Sequence, residues 1–294
     1  MPRAVPFSRV IRPIRALTLV VAACAGTVNG FAQANVKYGQ YIAKAAGCVG
    51  CHTDNKPGSA PFAGGRALDT PFGIFYGPNI TPHKVNGLGA WSEDDFRRAL
   101  RRGERRDGSH YFPAFPYPSF TGMADADVRD LWAYLRSLPP DARANRAHEL
   151  KFPFGWRWLV TFWKWLYFTP APPLATAPIG ATASRGAYLT LALGHCGECH
   201  TPRSFLGGPK LDRWLAGAKL AEGRSPNLTP TRLKKWGDAD LTKFLQTGLT
   251  MEGDLVAETM GEVVQNTTSQ LTSADQQAMV AYLRSLPPLP EEKK

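Results

Sequence analysis

The sequence predicts an all-α fold in which one helical unit occurs twice, in tandem. The pentapeptide Cys48–His52 returns as Cys196–His200, and both have the pattern C-x-x-C-H. The octapeptide AYLRSLPP that begins at Ala133 returns unchanged at Ala281. Between these landmarks, both copies alternate helix-like stretches with segments rich in glycine and proline, which interrupt long elements.

The repeated pentapeptide is the attachment pattern of c-type haem. Cysteines three positions apart lie on one face of a helical turn, so both thiols can reach one porphyrin. The histidine that follows is then placed to bind the iron as its proximal ligand. We therefore predict two covalently bound haem c groups, attached through four cysteines and ligated by two histidines: Cys48, Cys51, Cys196 and Cys199, with His52 and His200.

Three other roles of paired cysteines fit the pattern less well. A zinc ribbon needs its two Cys-x-x-Cys pairs close together, whereas a long stretch separates Cys51 from Cys196. A redox-active pair does not require a histidine after each C-x-x-C. Structural disulfides are typical of short secreted chains rather than of this length.

Residues 1–34 are predicted to be a secretory signal peptide. They start with basic residues, continue with the apolar run Ala16–Gly26 and end on the small-x-small cleavage pattern Ala32-Gln33-Ala34. The residues around Cys24 also resemble a bacterial lipobox, so lipidation at Cys24 is the alternative to cleavage after Ala34. Both routes export the protein, and we expect it in the periplasm, with association to the inner membrane left open.

The formal net charge is +11, and it stays positive without the four arginines of the leader. A basic balance favours docking to an acidic protein face or to anionic lipid headgroups. No nucleic-acid recognition motif accompanies the charge, so we do not expect binding to nucleic acid.

The first unit is predicted to span residues 35–143. Its first helix should run from Val36 to Gly47 and carry the haem pentapeptide at its C-terminal end. Ser92 should cap a helix from Glu93 to about Arg102. A last helix should begin near Asp125 and end at Leu138, before two prolines.

The second unit, residues 180–290, repeats this order. Gly186 and its neighbours precede the second pentapeptide as Gly39 and its neighbours precede the first. The loop Ser225-Pro-Asn-Leu-Thr-Pro matches Gly77-Pro-Asn-Ile-Thr-Pro, and a helix is expected from Asp238 to Gln246.

Residues 144–179 are predicted to be an aromatic-rich linker, with the aromatic side chains concentrated in 151–173. These side chains could fill the seam between the two units, since aromatic residues dominate cores and interfaces. They could instead form a docking surface for a membrane or a partner protein. Arg157 and Lys164 interrupt the run, so it is not a transmembrane helix.

Together, the two pentapeptides, the Pro-Asn-(Ile/Leu)-Thr-Pro loops and the repeated AYLRSLPP helices identify a family. The chain resembles bacterial periplasmic dihaem cytochromes c, close to the cytochrome c subunits of membrane-bound alcohol dehydrogenases. The resemblance implies two class I cytochrome c domains in an electron-transfer protein rather than an enzyme. It implies a periplasmic dehydrogenase as electron donor, and quinone, a terminal oxidase or another cytochrome as acceptor. A dihaem enzyme, such as a peroxidase or thiosulfate dehydrogenase, is the alternative.

The resemblance also implies a methionine sulfur opposite each histidine. In the second unit Met260 matches the ligand position of the family, Met251 is the fallback and Met279 is expected in the core. In the first unit Met123 is the predicted ligand, although aligning the last helices sets Met123 against Leu271 rather than against a methionine. The alternatives for the first haem are His110 and His83.

Overall fold

In each copy, the first helix crosses the helix that closes the copy. In the computed structural model, which describes residues 33–171, 180–220, 223–256 and 258–291, these pairs are α1 with α5 and α7 with α12. The helices are α1 Val36–Ala45, α5 Asp125–Ser137, α7 Ala181–Ala187 and α12 Ser273–Ser285. The predicted signal peptide and Cys24 lie outside the described residues, apart from Gln33 and Ala34.

A glycine lets each helix pair approach closely. A Cβ added at Gly39 would lie 1.9 Å from the carbonyl oxygen of Asp130, and one added at Gly186 would lie 1.8 Å from that of Ala278. Atoms that are not bonded cannot come so near, so only glycine is compatible with this crossing. The two copies therefore share one packing rule as well as one sequence pattern.

Further α-helices lie between these four along the chain. They are α2 Cys48–His52, α3 Glu93–Arg102, α4 Tyr117–Phe120, α6 Leu159–Tyr167, α8 Gly197–His200, α9 Pro230–Leu233, α10 Asp238–Thr247 and α11 Glu258–Asn266. Ser92 caps α3 as predicted. Its side chain accepts a hydrogen bond from the backbone N–H of Asp95, and the Asp95 carboxylate accepts one from the backbone N–H of Ser92.

The prediction of an all-α fold is wrong, because each copy contains a small antiparallel sheet. Strands β1 Ala67–Thr70, β2 Gly73–Tyr76 and β3 Glu149–Leu150 form the first sheet; β4 Ala218–Leu220 and β5 Gly223–Ser225 form the second. Helices of all kinds make up 44% of the described residues and strands with isolated bridges 10%, so the protein combines helices with small sheets. In the glycine-rich segments that cannot continue a helix, hydrogen bonds between strands satisfy the backbone N–H and C=O groups.

The first helix is also shorter than predicted, and the haem pentapeptide starts a new one. Gly47 has a φ of +61°, a left-handed conformation that ends α1 and turns the chain into α2. In the second copy, α7 continues through a π-helical turn, Tyr188–Leu193, before α8. The tandem repeat predicted from the sequence is therefore present. The two copies differ in the backbone that leads into the pentapeptide, which is a left-handed glycine in the first and a π-helical turn in the second.

The seam between the copies is built from exchanged hydrogen bonds. The hydroxyl of Tyr41 in the first copy donates to Asp275 in the second at 2.5 Å, and the hydroxyl of Tyr188 in the second donates to Asp127 in the first at 2.6 Å. Each hydroxyl also accepts a backbone N–H from the partner copy, at 3.2 Å and 3.1 Å respectively. Equivalent residues thus bond each other reciprocally, as across an approximate two-fold axis.

Arg185 makes this seam asymmetric. Its guanidinium donates to both carboxylate oxygens of Asp275, at 2.9 Å and 2.8 Å. Burial works against ionisation of Asp275, but the hydrogen bonds from Arg185 and Tyr41 and the charge of Arg185 together outweigh it and lower the pKa of Asp275. Burial raises the pKa of Asp127, which has the Tyr188 hydroxyl as its hydrogen-bonding partner.

The aromatic stretch belongs partly to the first copy. Strand β3 pairs with β2, and Val160 of α6 packs with Phe75 and Phe112 in a small separate core. No helix among the described residues is long and apolar enough to cross a membrane.

Candidate functional site

The first pentapeptide holds its histidine in one orientation. Residues Cys48–His52 form the short helix α2, and the Nδ1 of His52 lies 2.7 Å from the carbonyl oxygen of Pro78. A carbonyl only accepts, so Nδ1 carries the hydrogen and Nε2 keeps a free lone pair. Burial lowers the pKa of His52, which favours the neutral form that can bind a metal ion.

The second pentapeptide repeats this arrangement. His200 ends α8, and its Nδ1 lies 2.8 Å from the carbonyl oxygen of Pro226. Burial lowers the pKa of His200 as well. A carbonyl partner of this kind fixes the orientation of a metal-binding imidazole and increases its basicity.

The four predicted attachment cysteines, all within the described residues, form no disulfides, so each can attach a haem. Burial raises the pKa of Cys48 to about 12, and the pKa of Cys196 likewise to about 12, so both stay protonated at neutral pH. Two thiols on one helical turn with an imidazole behind them are the donor set that covalent haem attachment requires. The residues therefore fit the group, which would supply a one-electron iron centre.

A buried asparagine stabilises each loop that holds a proximal histidine, a role that was not predicted from the sequence. The Oδ1 of Asn79 accepts hydrogen bonds from the backbone N–H and the hydroxyl of Thr81, at 2.9 Å and 2.7 Å. Its Nδ2 donates to the carbonyls of Asp141 and Arg143, at 2.9 Å and 3.0 Å. The asparagine thus ties the loop that presents the Pro78 carbonyl to the segment after the last helix.

Asn227 does the same in the second copy. Its Oδ1 accepts from the N–H and hydroxyl of Thr229, both at 2.7 Å, and its Nδ2 donates to the carbonyl of Leu289 at 2.9 Å. The repeated motif Pro-Asn-x-Thr-Pro was the available signal, because asparagine and threonine side chains commonly bond backbone groups in turns. Which backbone groups they reach depends on the chain returning from the far end of the copy.

Replacing Asn227 by alanine should lower the free energy of unfolding by roughly 3 kcal/mol, since buried donors and acceptors lose their partners. Denaturant unfolding followed by circular dichroism measures this change. Asn55→Ala, at an exposed position, is the control and should shift stability by less than about 0.5 kcal/mol. Equal midpoints for Asn227→Ala and the parent would contradict the role of the loop.

The predicted methionines lie in different surroundings. Met123 is fully buried in the main core, immediately before α5, whereas Met260 is half-buried on α11. Met251, the fallback, is exposed, and Met279 is buried within α12, where the sequence placed it in the core. Ligation by Met123 and Met260 stays a prediction.

His110 and His83, the alternative ligands for the first haem, both use Nδ1 in contacts with other residues. The Nδ1 of His110 lies 3.1 Å from Lys164 Nζ, and the Nδ1 of His83 accepts the backbone N–H of Asn86 at 3.1 Å. Because both partners only donate, Nδ1 is the acceptor and Nε2 carries the hydrogen. This is the opposite tautomer to that of His52, and it favours Met123 over both histidines.

Each pentapeptide packs against the other copy. Helix α2 contacts α11, and the Arg66 guanidinium bonds the Glu262 carboxylate across this contact at 2.9 Å. Reciprocally, Ser119 of α4 donates to Glu198 of α8 at 3.1 Å. His195, which directly precedes the second pentapeptide, places its ring 5.7 Å from that of Phe120 in the first copy.

The second cysteine of each pentapeptide is also affected by its surroundings. Burial is the main cause that raises the pKa of Cys51, and Arg66 opposes this. Burial likewise raises the pKa of Cys199.

The profile of the cytochrome c family matches residues 36–139 and 183–287, one match in each copy. The chain belongs to the cytochrome c family. It is 42% identical to a diheme cytochrome c-type protein of Cereibacter sphaeroides, over 85% of each chain. It is 38% identical to the fructose dehydrogenase cytochrome subunit of Gluconobacter japonicus, over 86% of this chain and 53% of that one.

A third relative is the alcohol dehydrogenase (quinone) cytochrome c subunit of Gluconobacter oxydans, 33% identical over 89% of this chain and 56% of that subunit. The chain thus spans about half the length of these two dehydrogenase subunits. The predictions of two covalently bound haem c groups and of an electron-transfer protein rather than an enzyme are confirmed. This cytochrome relays electrons; none of these relatives is described as a peroxidase or a thiosulfate dehydrogenase.

Proposed function

We propose that this cytochrome is a periplasmic relay that receives electrons from a dehydrogenase and passes them to quinone, a terminal oxidase or another cytochrome. The reciprocal packing of the two pentapeptides carries the proposal. Each haem attachment helix lies against the other copy of the same chain, which supports transfer of an electron from one copy to the other within the chain. The partner is proposed by analogy with the cytochrome subunits of fructose and alcohol dehydrogenases.

The periplasmic location rests on the leader of residues 1–34 and on the covalent haem pattern. Association with the inner membrane is proposed through residues 151–173, whose aromatic side chains are largely exposed. Both features support a relay located where an exported dehydrogenase and membrane quinone can meet.

Purification from native membranes in mild detergent tests the proposal. We expect two c-type haems per chain by pyridine haemochrome and a co-purifying dehydrogenase by mass spectrometry. Adding the substrate of that dehydrogenase should then reduce both haems, which the α-band absorbance reports. A matched sample that lacks the substrate is the control.

A purified complex whose haems stay oxidised under these conditions would refute the proposal. So would rapid turnover of peroxide by an oxidised high-spin form, because peroxidase chemistry needs an open iron position.

A further inference from the structure

An exposed patch of aromatic side chains runs along α6 and the residues before it. We propose that this patch, here called the aromatic face, binds the surface of an anionic phospholipid bilayer. Its members share high exposure and apolar character: Phe152, Trp156, Trp158, Phe162, Trp165 and Leu166. The proposal rests on the proposed function and names the surface and the lipid chemistry of the membrane contact.

The side chains that anchor α6 point the opposite way. Val160 is buried in the small core, and the Nζ of Lys164 donates to the carbonyl of Arg102 at 2.6 Å. The guanidinium of Arg157 donates to the carbonyl of His110 at 2.8 Å and lies 4.5 Å from the ring centroid of Phe112. Arg157 and Lys164 thus hold α6 to the first copy, and the side chains of the aromatic face are left outside.

The aromatic face is ordered as a continuous row of rings. The ring of Trp156 lies 5.0 Å from that of Phe152 and 6.0 Å from that of Trp158, whose ring lies 5.8 Å from that of Phe162. Trp165, at the other end, is 82% exposed. Two of these ring pairs meet edge to face and the Trp156–Trp158 pair is stacked, and the five aromatic side chains of the face remain between 49% and 82% exposed.

A loop of the second copy extends this surface. The indole Nε1 of Trp163 donates to the carbonyl of Leu206 at 3.0 Å, and Ser204 Oγ donates to the hydroxyl of Tyr167 at 3.1 Å. The loop therefore lies against the inner side of α6. Its tip, Phe205, is 93% exposed. The second copy thus adds an exposed aromatic side chain next to α6.

The charge around the aromatic face favours an anionic bilayer as its binding partner. Residues 150–197 contain no aspartate or glutamate, and the exposed side chains of Lys151 and Lys210 flank the aromatic face and the loop. Tryptophan is favoured where an apolar ring and a polar N–H meet the boundary between headgroups and acyl chains. Nearby lysines add attraction to anionic headgroups. An aromatic surface whose own stretch of chain carries lysine and no aspartate or glutamate is therefore complementary to an anionic bilayer.

Sedimentation with lipid vesicles tests this inference on the complete haem-loaded protein. Parent protein should bind vesicles of phosphatidylglycerol and phosphatidylethanolamine, and bind vesicles of phosphatidylcholine more weakly. The double variant Trp158→Ser/Trp165→Ser should lose at least about tenfold in apparent affinity, since each indole buries a large apolar area. Val85→Ser, which alters an 84% exposed side chain of the first copy, is the matched control and should bind like the parent.

Three outcomes would overturn the inference: equal binding of the double variant and the parent, equal binding to both kinds of vesicle, or no binding to either. Loss of complex formation with the dehydrogenase, with vesicle binding unchanged, would assign the aromatic face to a protein partner instead. Haem absorbance and circular dichroism check that the variants fold. Haem reduction measured in detergent without vesicles tests the proposed function separately.

Discussion

Gly186→Ala is expected to lower the free energy of unfolding by roughly 3 kcal/mol, because the added Cβ would lie 1.8 Å from the carbonyl oxygen of Ala278. The two helices α7 and α12 would have to move apart, and α7 leads through its π-helical turn to the second pentapeptide. Alanine favours a helix by only about 1 kcal/mol over glycine, which does not offset this loss. Chemical denaturation followed at 222 nm circular dichroism gives the change.

Gly155→Ala supplies the control for the same chemical change. The nearest atom to an added Cβ there is 3.8 Å away, in the side chain of Leu150, so the variant should unfold like the parent. Gly39→Ala should repeat the effect of Gly186→Ala, since its added Cβ would meet Asp130 in the equivalent crossing. Parent-like stability of both helix variants would show that the crossing can relax.

Met123→Ala is expected to lower the reduction potential of the first haem, because a methionine ligand raises the potential relative to a weaker sixth ligand. The near-infrared band that arises from methionine sulfur bound to ferric iron should fall to half of its parent intensity. Met123 is fully buried, so the truncation should also cost about 2–5 kcal/mol of stability. Potentiometry with near-infrared absorbance or magnetic circular dichroism measures the first two effects.

The stability loss alone does not identify a ligand, because a packing methionine would produce it too. Met260→Ala should show the reciprocal change, with the second haem affected. Met251→Ala alters an exposed side chain and should change neither the band nor the potentials. If Met123→Ala leaves the band and both potentials unchanged while stability falls, Met123 is a core residue and the sixth ligand of the first haem must be sought elsewhere.

The repeat and the haem chemistry were predictable from the sequence because both depend on local spacing. A C-x-x-C-H pattern places its donor atoms on one helical turn wherever the chain forms that turn. The capped helix α3 was predictable for the same reason, since Ser92 and Asp95 bond within four residues. The unit boundaries at 143 and 180 and the eight predicted attachment and ligand residues stay predictions.

The small sheets were not predictable in the same way. The segment between the first pentapeptide and α3 reads as loop because of its many glycines and prolines, and β1 and β2 are only four residues each. Strand β3 pairs with β2 from a position far along the chain, inside the predicted linker. Pairings at such a separation depend on how the whole copy folds, so local propensity gives little signal for them.

The sequence by itself determined the repeated unit, the four cysteines, the two histidines and the electron-transfer chemistry that they support. Only the tertiary structure decided how the two units meet. The exchanged bonds from Tyr41 to Asp275 and from Tyr188 to Asp127 join residues that are far apart in the chain, and the repeat does not indicate that they pair between copies. The orientation of α6 also depends on the tertiary structure, because Arg157 and Lys164 donate hydrogen bonds to carbonyls of the first copy. Such contacts arise only when distant surfaces come together, because hydrogen bonds require a partner within about 3 Å.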